Sequence, residues 1–302
     1  MNILVAGGAG FIGSNLCYRL LNGGHEVYCL DNFHTGQRSN VQMIADLNNR
    51  FHVINIDITR SDFYIPHYEY VRFDHIYNLA SPTSPKHCKE KPTQTLLSNI
   101  VGTSNLLKLA KEQGSKFLQA STIWVYERTS IDYVNAAYLE GKKGAEVICS
   151  EYKSDIDLRV VRLTSVYGPG MSITDSRVIP QFIMKALRNE DLTIFGGSQL
   201  DYFCYVADMV NILIHIMDTS ILRPIILAPK EMISIRSLAE LIIELTYSKS
   251  KIIEVNSTTD IQSRSTLPGD HFYKWEPLID MRKGLQYTID YYKECITVGD
   301  NQ

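Results

Sequence analysis

The sequence predicts an α/β fold, a doubly wound parallel sheet joined to a smaller mixed α/β lobe. Three observations predict it. Short, near-continuous apolar runs alternate with helix-patterned stretches through the first half of the chain, the pattern of a parallel sheet covered on both faces. The opening apolar run meets a glycine-rich turn and then a helix pattern at once. After Tyr167-Gly168-Pro169 the composition changes, with frequent Gly and Pro turns and short strands mixed among helices.

Asn2 to Ala6 reads as a buried strand, stopped by Gly7 and Gly8. Gly7, Gly10 and Gly13 follow at regular spacing, while Phe11, Ile12, Leu16, Leu20 and Leu21 recur as on a helix. The glycines therefore lie on a strand-to-helix turn. Glycine there admits positive φ, lets a diphosphate approach the backbone and lets the helix sit close on the strand. The helix N-terminus offers unpaired N–H groups to the same anion. A second strand, Glu26 to Leu30, ends in Asp31, with Asn32 beside it. That carboxylate lies about 20 residues on, where the dinucleotide fingerprint places the ribose-hydroxyl acceptor. It would repel a 2′-phosphate, so NAD is expected rather than NADP, on a Rossmann-type sheet.

Val41 to Leu47 reads as a helix and Phe51 to Ile56 as a third strand ending at Asp57. His75 to Ala80 is a fourth strand followed by the motif SPTSP, and Thr93 to Gln113 a long helix. Lys116 to Ala120 begins a fifth strand, Ala137 to Tyr152 is a second long helix, and Leu158 to Leu163 a sixth strand. Val178 to Leu187 and Ile235 to Leu245 read as helices of the smaller lobe, with Leu192 to Phe195 a short strand. The chain is expected to return to the large lobe at Phe203 to Asp218. This gives a dinucleotide-binding domain of 1–166 plus about 203–228, and a second lobe of about 167–202 plus 229–302. Ligands of open α/β sheets bind at the carboxyl ends of the strands, so a cleft between the lobes is the expected site.

The 302 residues carry a net charge of −3, and nothing in their pattern suggests a nucleic-acid or membrane partner. The six cysteines form no CxxC pair and read as reduced thiols, not as a disulfide frame or zinc site. The chain enters its first strand at once, without a signal peptide, and no apolar run reaches membrane-spanning length. A cytoplasmic protein without a metal is the expectation.

Tyr138 and Lys142 lie four apart on the second long helix, hence on one face. A free phenol, with a pKa near 10, is a poor base at neutral pH. A lysine ammonium one turn away favours its phenolate. Thr122 ends the fifth strand, where a hydroxyl can bond the same substrate oxygen.

The segments GGAGFIGSNL, LDNFHTG, IYNLASPTSP, NIVGTSNLLKLAKEQG, ASTIWVY, YLEGKKGAEVICSEY, RLTSVYGPGM and DSRVIPQFIMKAL follow one another along nearly the whole chain. On these the sequence resembles the extended short-chain dehydrogenase/reductases that act on nucleotide sugars. SPTSP, YxEGK and GPxMxxxDSRV bring it nearest to the UDP-glucuronate decarboxylase branch. The resemblance implies that Tyr138 takes the proton of a sugar 4-hydroxyl while hydride passes from C4 to NAD, giving a 4-keto sugar and NADH. Lys142 would hold the nicotinamide ribose and Thr122 would align the hydroxyl. Gly7, Gly10, Phe11, Ile12, Gly13, Asp31 and Asn32 would serve the cofactor, with Asp57 and Ile58 near adenine. Leu79, Ala80 and Ser81 would lie toward nicotinamide, and Asn99 near the fifth-strand site. On the substrate side the resemblance points to Ser84, Thr122, Trp124, Tyr138, Ser165, Arg177 and Arg264. Basic residues near the last two hold the nucleotide diphosphate in relatives.

Four departures all fall on the substrate side. Thr122-Ile123-Trp124-Val125-Tyr126-Glu127 carries Trp124 where decarboxylases and dehydratases have an acidic residue. Asp201 stands where the family usually has arginine, and Ser165 where it has asparagine. The segment between Tyr126 and Tyr138 is short. Together they favour simple C4 redox chemistry, as a 4-epimerase or a 4-dehydrogenase. Decarboxylation and 4,6-dehydration are the alternatives, and a non-catalytic NAD(H)-binding regulator or scaffold is the reading from another class.

Other residues have plain readings. His34 and His87 read as solvated loop groups, and Glu140, Glu146 and Glu151 as a solvated or partner-facing edge with Lys143 and Lys153. Trp124 and Tyr126 either stack on a ligand or join the core, and Tyr202, Phe203 and Tyr205 are packing residues. Both long helices carry apolar positions beyond one stripe (Leu96, Leu97, Ile100, Leu106, Leu107; Ala137, Ala145, Ile148), so each needs a second partner. In the resembled family these helices build a four-helix homodimer interface, and a homodimer is expected.

Overall fold

The protein is described here by a computed structural model covering residues 1–126, 135–255 and 271–299. In chain order its first elements are β1 (Asn2–Ala6), α1 (Phe11–Asn22), β2 (Glu26–Asp31), α2 (Ser39–Leu47), β3 (Phe51–Asn55) and β4 (His75–Asn78). Then come α3 (Pro85–Glu90), α4 (Pro92–Gln113), β5 (Lys116–Thr122), a 3₁₀ turn (Ile123–Tyr126), α5 (Ala136–Glu151) and β6 (Leu158–Leu163). The remainder runs β7 (Ser165–Tyr167), α6 (Val178–Leu187), β8 (Leu192–Phe195), β9 (Leu200–Asp201), β10 (Phe203–Tyr205) and α7 (Val206–Met217). It ends with β11 (Ile225–Leu227), β12 (Ile233–Ser234), α8 (Ile235–Thr246), β13 (Ile252–Val255) and α9 (Met281–Gly299).

The chain divides into two compact units, Met1–Leu163 with Val210–Ile226, and Thr164–Met209 with Leu227–Gln302. The first holds a seven-stranded sheet in the order β3-β2-β1-β4-β5-β6-β11, the doubly wound arrangement. The ladders from β3 through β6 are parallel, with Val5 opposite Cys29 and Tyr77, and Ala120 opposite Val161. Ile3, Leu4 and Val5 have no exposed surface, as expected of a strand covered on both faces. One side of the sheet is filled by Leu4, Leu30, Ile76, Leu106, Leu107 and Phe117. Gly114, in the left-handed region at φ 65°, ends α4 and returns its N–H to Ala110 and Lys111.

The second unit is built from α6, α8 and α9 with three two-stranded pairings: β7 with β10, β8 with β13, and β9 with β12. Its core gathers Ile183, Leu192, Leu238, Leu285, Ile289 and Tyr292, all essentially buried. Ser234 caps α8 by accepting the Ser237 N–H.

Several elements differ from the sequence reading. The fourth strand stops at Asn78, and α3 begins on the last residue of SPTSP, Pro85, in its first turn. The second long helix runs from Ala136 to Glu151, one residue earlier at each end, while the fifth strand ends at Thr122 as expected. The strands β9, β12 and β13 are too short to show a period, and α9 is rich in charge and tyrosine. These escaped a reading based on apolar spacing.

Candidate active site

The glycine turn is closed by the Gly7 N–H, which donates to the Leu30 carbonyl at 2.8 Å. Gly7 has φ +79°, and a Cβ there would lie 2.7 Å from the Ala80 nitrogen. A Cβ on Gly13 would overlap the Gly7 carbonyl oxygen, so α1 rests directly on the turn. Phe11 and Ile12 open that helix, half-buried.

Asp31 ends β2 with its carboxylate turned back to the loop. Its Oδ2 accepts the Ala9 N–H at 3.0 Å and its Oδ1 the Phe33 N–H at 2.9 Å. Burial raises its pKa, and the two N–H groups only partly offset that. A Cβ on Gly36 would sit 2.8 Å from both carboxylate oxygens, so that glycine is what leaves the acid room. Asp57 behaves in the opposite way. Burial raises its pKa, but bonds from the Thr59 N–H, the Thr59 hydroxyl and Asn32 outweigh it and hold the carboxyl low.

These groups line one open pocket with about 550 Å³ of empty space. Of the residues expected at the cofactor, Gly7, Gly10, Asp31, Asn32, Asp57, Ile58, Leu79, Ala80 and Ser81 line it. The sequence reading missed Gly36, Gln94 and Ser98; His34, read as a solvated loop group, is exposed and stands on the wall. His34 and His87 meet edge to face with ring centroids 6.2 Å apart, and His87 lies on α3 rather than in a loop. A glycine-rich turn at a helix N-terminus, with an acidic residue at the end of β2, fits a dinucleotide. Asn99 adds a second fitting feature. Its Nδ2 donates to the Thr95 carbonyl, while its buried Oδ1 has no partner among the described residues. It stands against Gly141 of α5.

Tyr138 and Lys142 share one face of α5, with the Lys142 Nζ 5.8 Å from the Tyr138 ring centre. Lys142 is 3% exposed and donates to the Ala120 carbonyl at 2.9 Å. Burial pulls its pKa down to about 8, against the attraction of Glu146, which raises it. Thr122 is the last residue of β5, and its Oγ1 accepts the Trp124 N–H at 3.3 Å. Trp124 stands half-buried in the 3₁₀ turn.

Glu146 corrects the sequence reading. It is not part of a solvated edge but 13% exposed, paired with an Arg162 that is 12% exposed. Two guanidinium nitrogens reach it at 2.9 and 2.6 Å, and the Ser121 hydroxyl donates to it at 2.6 Å. Arg162 also donates to the Tyr126 hydroxyl and lies over the Tyr126 ring. The signal was available in principle. Glu146 follows Lys142 by one turn, on a helix whose same face is buried. Glu140 and Glu151 are exposed, as expected.

On the substrate side, Ser84 stands at the N-cap of α3. Ser165 donates its hydroxyl to Asp201 at 3.1 Å. Arg177 is held in a two-point pair with Asp175, its nitrogens 3.0 and 2.7 Å from the carboxylate oxygens. Arg264 lies outside the described residues. Among the described residues the six cysteines are free, no group of His, Cys, Asp and Glu is arranged for a metal, and no helix is long and apolar enough to cross a membrane.

A seven-stranded doubly wound sheet, a glycine turn closed over an acidic residue and a Tyr–Lys pair on α5 define an NAD-dependent dehydrogenase-like protein. Residues 3–225 match the NAD dependent epimerase/dehydratase family, and the chain belongs to it. UDP-glucuronic acid decarboxylase 1 of Xenopus tropicalis is 37% identical over 320 aligned positions, covering 99% of this chain and 74% of that protein. UDP-glucuronic acid decarboxylase 3 of Arabidopsis thaliana is 37% identical over 322 positions, covering all of this chain and 92% of its own. Among solved structures, UDP-glucuronic acid 4-epimerase from Bacillus cereus, in complex with UDP-glucuronic acid and NAD, superposes with a TM-score of 0.79. It is 26% identical and covered over its whole length by 98% of this chain.

Proposed function

We propose that this enzyme oxidises C4 of a nucleotide-diphosphate sugar, as a 4-epimerase or a 4-dehydrogenase, with the first unit holding NAD and the second the sugar nucleotide. The observation that carries the proposal is the combination of Tyr138, Lys142 and Thr122 with a tryptophan at position 124. Tyr138 removes the proton of the 4-hydroxyl. Lys142, anchored on the Ala120 carbonyl, favours the phenolate by its charge and holds the ribose. Thr122 orients the hydroxyl. Bound NAD supplies the hydride acceptor. With Trp124 in the place of an acidic residue, the described residues of the turn carry no carboxylate for chemistry at C5 or C6. The similarity to decarboxylases and to a 4-epimerase of UDP-glucuronic acid supports a UDP-linked substrate.

Decarboxylation is the second reading, favoured by two relatives of that name at 37% identity. The test is to incubate the protein with NAD and UDP-glucuronic acid, UDP-glucose or UDP-N-acetylglucosamine, following absorbance at the NADH band and product mass. A product of unchanged mass inverted at C4 identifies an epimerase. A 4-keto sugar with accumulating NADH identifies a dehydrogenase, and loss of carbon dioxide a decarboxylase. No turnover across the panel would replace the proposal with a non-catalytic NAD(H)-binding role.

A further inference from the structure

Two consecutive residues of β5 are gripped by two side chains one turn apart on α5. The Ala120 carbonyl accepts from Lys142 at 2.9 Å, and the Ser121 hydroxyl donates to Glu146 at 2.6 Å. Glu146 is in turn fixed from β6 by two Arg162 nitrogens, and Arg162 continues to the Tyr126 hydroxyl at the end of the 3₁₀ turn. The start of that turn is fixed by Thr122, which accepts the Trp124 N–H. One buried ion pair thus joins the helix of Tyr138 and Lys142 to both ends of the segment that carries Thr122 and Trp124.

We propose that Glu146 is a positioning residue that supplies the fixed counter-charge to the Lys142 ammonium, and that Arg162 and Tyr126 hold Glu146 and the Thr122–Tyr126 turn in register with it. This rests on the reading of Tyr138 as the base. The charged and titratable groups around Lys142 can be named among the described residues. Tyr138, Glu146 and Cys149 lie on its own helix, β5 presents a carbonyl, and Arg162 on β6 faces Glu146. A buried lysine without an opposing carboxylate gives up its proton more readily. A neutral lysine no longer favours the phenolate, so Tyr138 then needs a higher pH to act.

The test compares wild type with Glu146→Gln and with Glu146→Gln/Arg162→Met. The double variant removes the Glu146 and Arg162 charges together, so Arg162 is not left as an unpaired buried ion. The Lys142 titration is read by carbon NMR of protein labelled at the lysine side chains, with the resonance assigned by its loss in Lys142→Met. This readout needs no substrate. In both variants the Lys142 midpoint is expected to fall by a unit or more from about 8. The rise of turnover with pH should move up by a similar amount, giving roughly a tenfold slower rate near neutral pH. A midpoint unmoved in both variants, or restored to wild type in the double variant, overturns the proposal. Should wild type turn over no nucleotide sugar, neither accumulating NADH nor inverting C4, while the midpoint still falls, the counter-charge role stands and the proposed function fails. Tyr126→Phe tests the turn. It should lower kcat several-fold while leaving the Lys142 midpoint in place, and an unchanged kcat removes Tyr126 from the argument.

Discussion

Ser165 donates its hydroxyl to the Asp201 carboxylate at 3.1 Å, and the Tyr202 N–H reaches the same group at 2.7 Å. These are two of the positions where the chain departs from the family it resembles, and they turn out to be partners. The change is therefore one exchange rather than two: an asparagine and an arginine give way to a hydroxyl and the acid it serves. An aspartate in place of an arginine here would disfavour an anionic sugar. Asp201→Arg combined with Ser165→Asn should raise kcat/KM for a nucleotide-linked uronic acid at least tenfold relative to a neutral hexose. An unchanged ratio would remove these positions from substrate selection.

The turn at the head of α1 has no room for a side chain. A Cβ on Gly13 meets backbone, the Gly7 carbonyl and the Gly8 Cα, and neither can swing aside. Gly13→Ala should cost about 3 kcal/mol through overpacking and abolish saturable NAD binding, measured by denaturant unfolding and by titration with NAD. Gly24→Ala offers a comparison, since a Cβ there meets only the far end of Arg50, although φ +85° makes it strained.

Elements with a strong period were legible before the fold was seen. Leu158–Leu163, Val178–Leu187 and Leu192–Phe195 fall on their expected bounds. The glycine turn and Asp31 were legible too, because a local motif encodes a local geometry. The Glu146–Arg162 pair was not. Its partners are 16 positions apart on α5 and β6, and only the stacking of helix on sheet brings them together. Nor was Ser165–Asp201, separated by 36 positions and joined by two very short strands. Long-range polar pairs leave no period in a sequence, and charge alone pointed Glu146 toward solvent.

Lys142 should leave a mark on stability as well as on activity. Its folded pKa is lowered, from 10.5 to about 8, by burial above all. Between these values the unfolded chain binds a proton that the folded chain does not, so stability rises with pH across that window. The gain is complete above the unfolded value and is lost as pH falls through about 8. Lys142→Met removes the penalty. The variant should be inactive yet more stable than wild type near neutral pH by about 2 kcal/mol, with the difference closing toward alkaline pH. Urea unfolding of both proteins across the window checks this, and a parallel pair of curves would contradict it.

Asp31 holds the Ala9 and Phe33 N–H groups on separate oxygens. In Asp31→Asn one of those N–H groups would face an NH₂ instead of an acceptor. The charge that disfavours a 2′-phosphate is lost as well. NAD affinity should fall about tenfold, which is the loss of one charge-assisted bond. The preference for NAD over NADP should shrink by more. Fluorescence titration with both dinucleotides gives the two numbers, and an unchanged preference would mean that the carboxylate does not face the ribose.

The long helices α4 and α5 lie against each other through small residues. A Cβ on Gly144 would overlap Ile100, and one on Gly141 would crowd Asn99. Their inner faces are closed, with Leu106, Leu107, Ala145 and Cys149 wholly buried. Yet Leu96, Leu97 and Val147 remain exposed, Val147 at 64%. Apolar side chains at these positions on adjacent helices make a surface that water disfavours. Pairing it with its own copy would set two helices against two. The protein should therefore sediment as a dimer at micromolar concentration. Val147→Glu, which opposes like charges across such a pairing, should give a folded monomer with NAD binding retained. A monomeric wild type, or a variant that stays dimeric, would place the interface elsewhere.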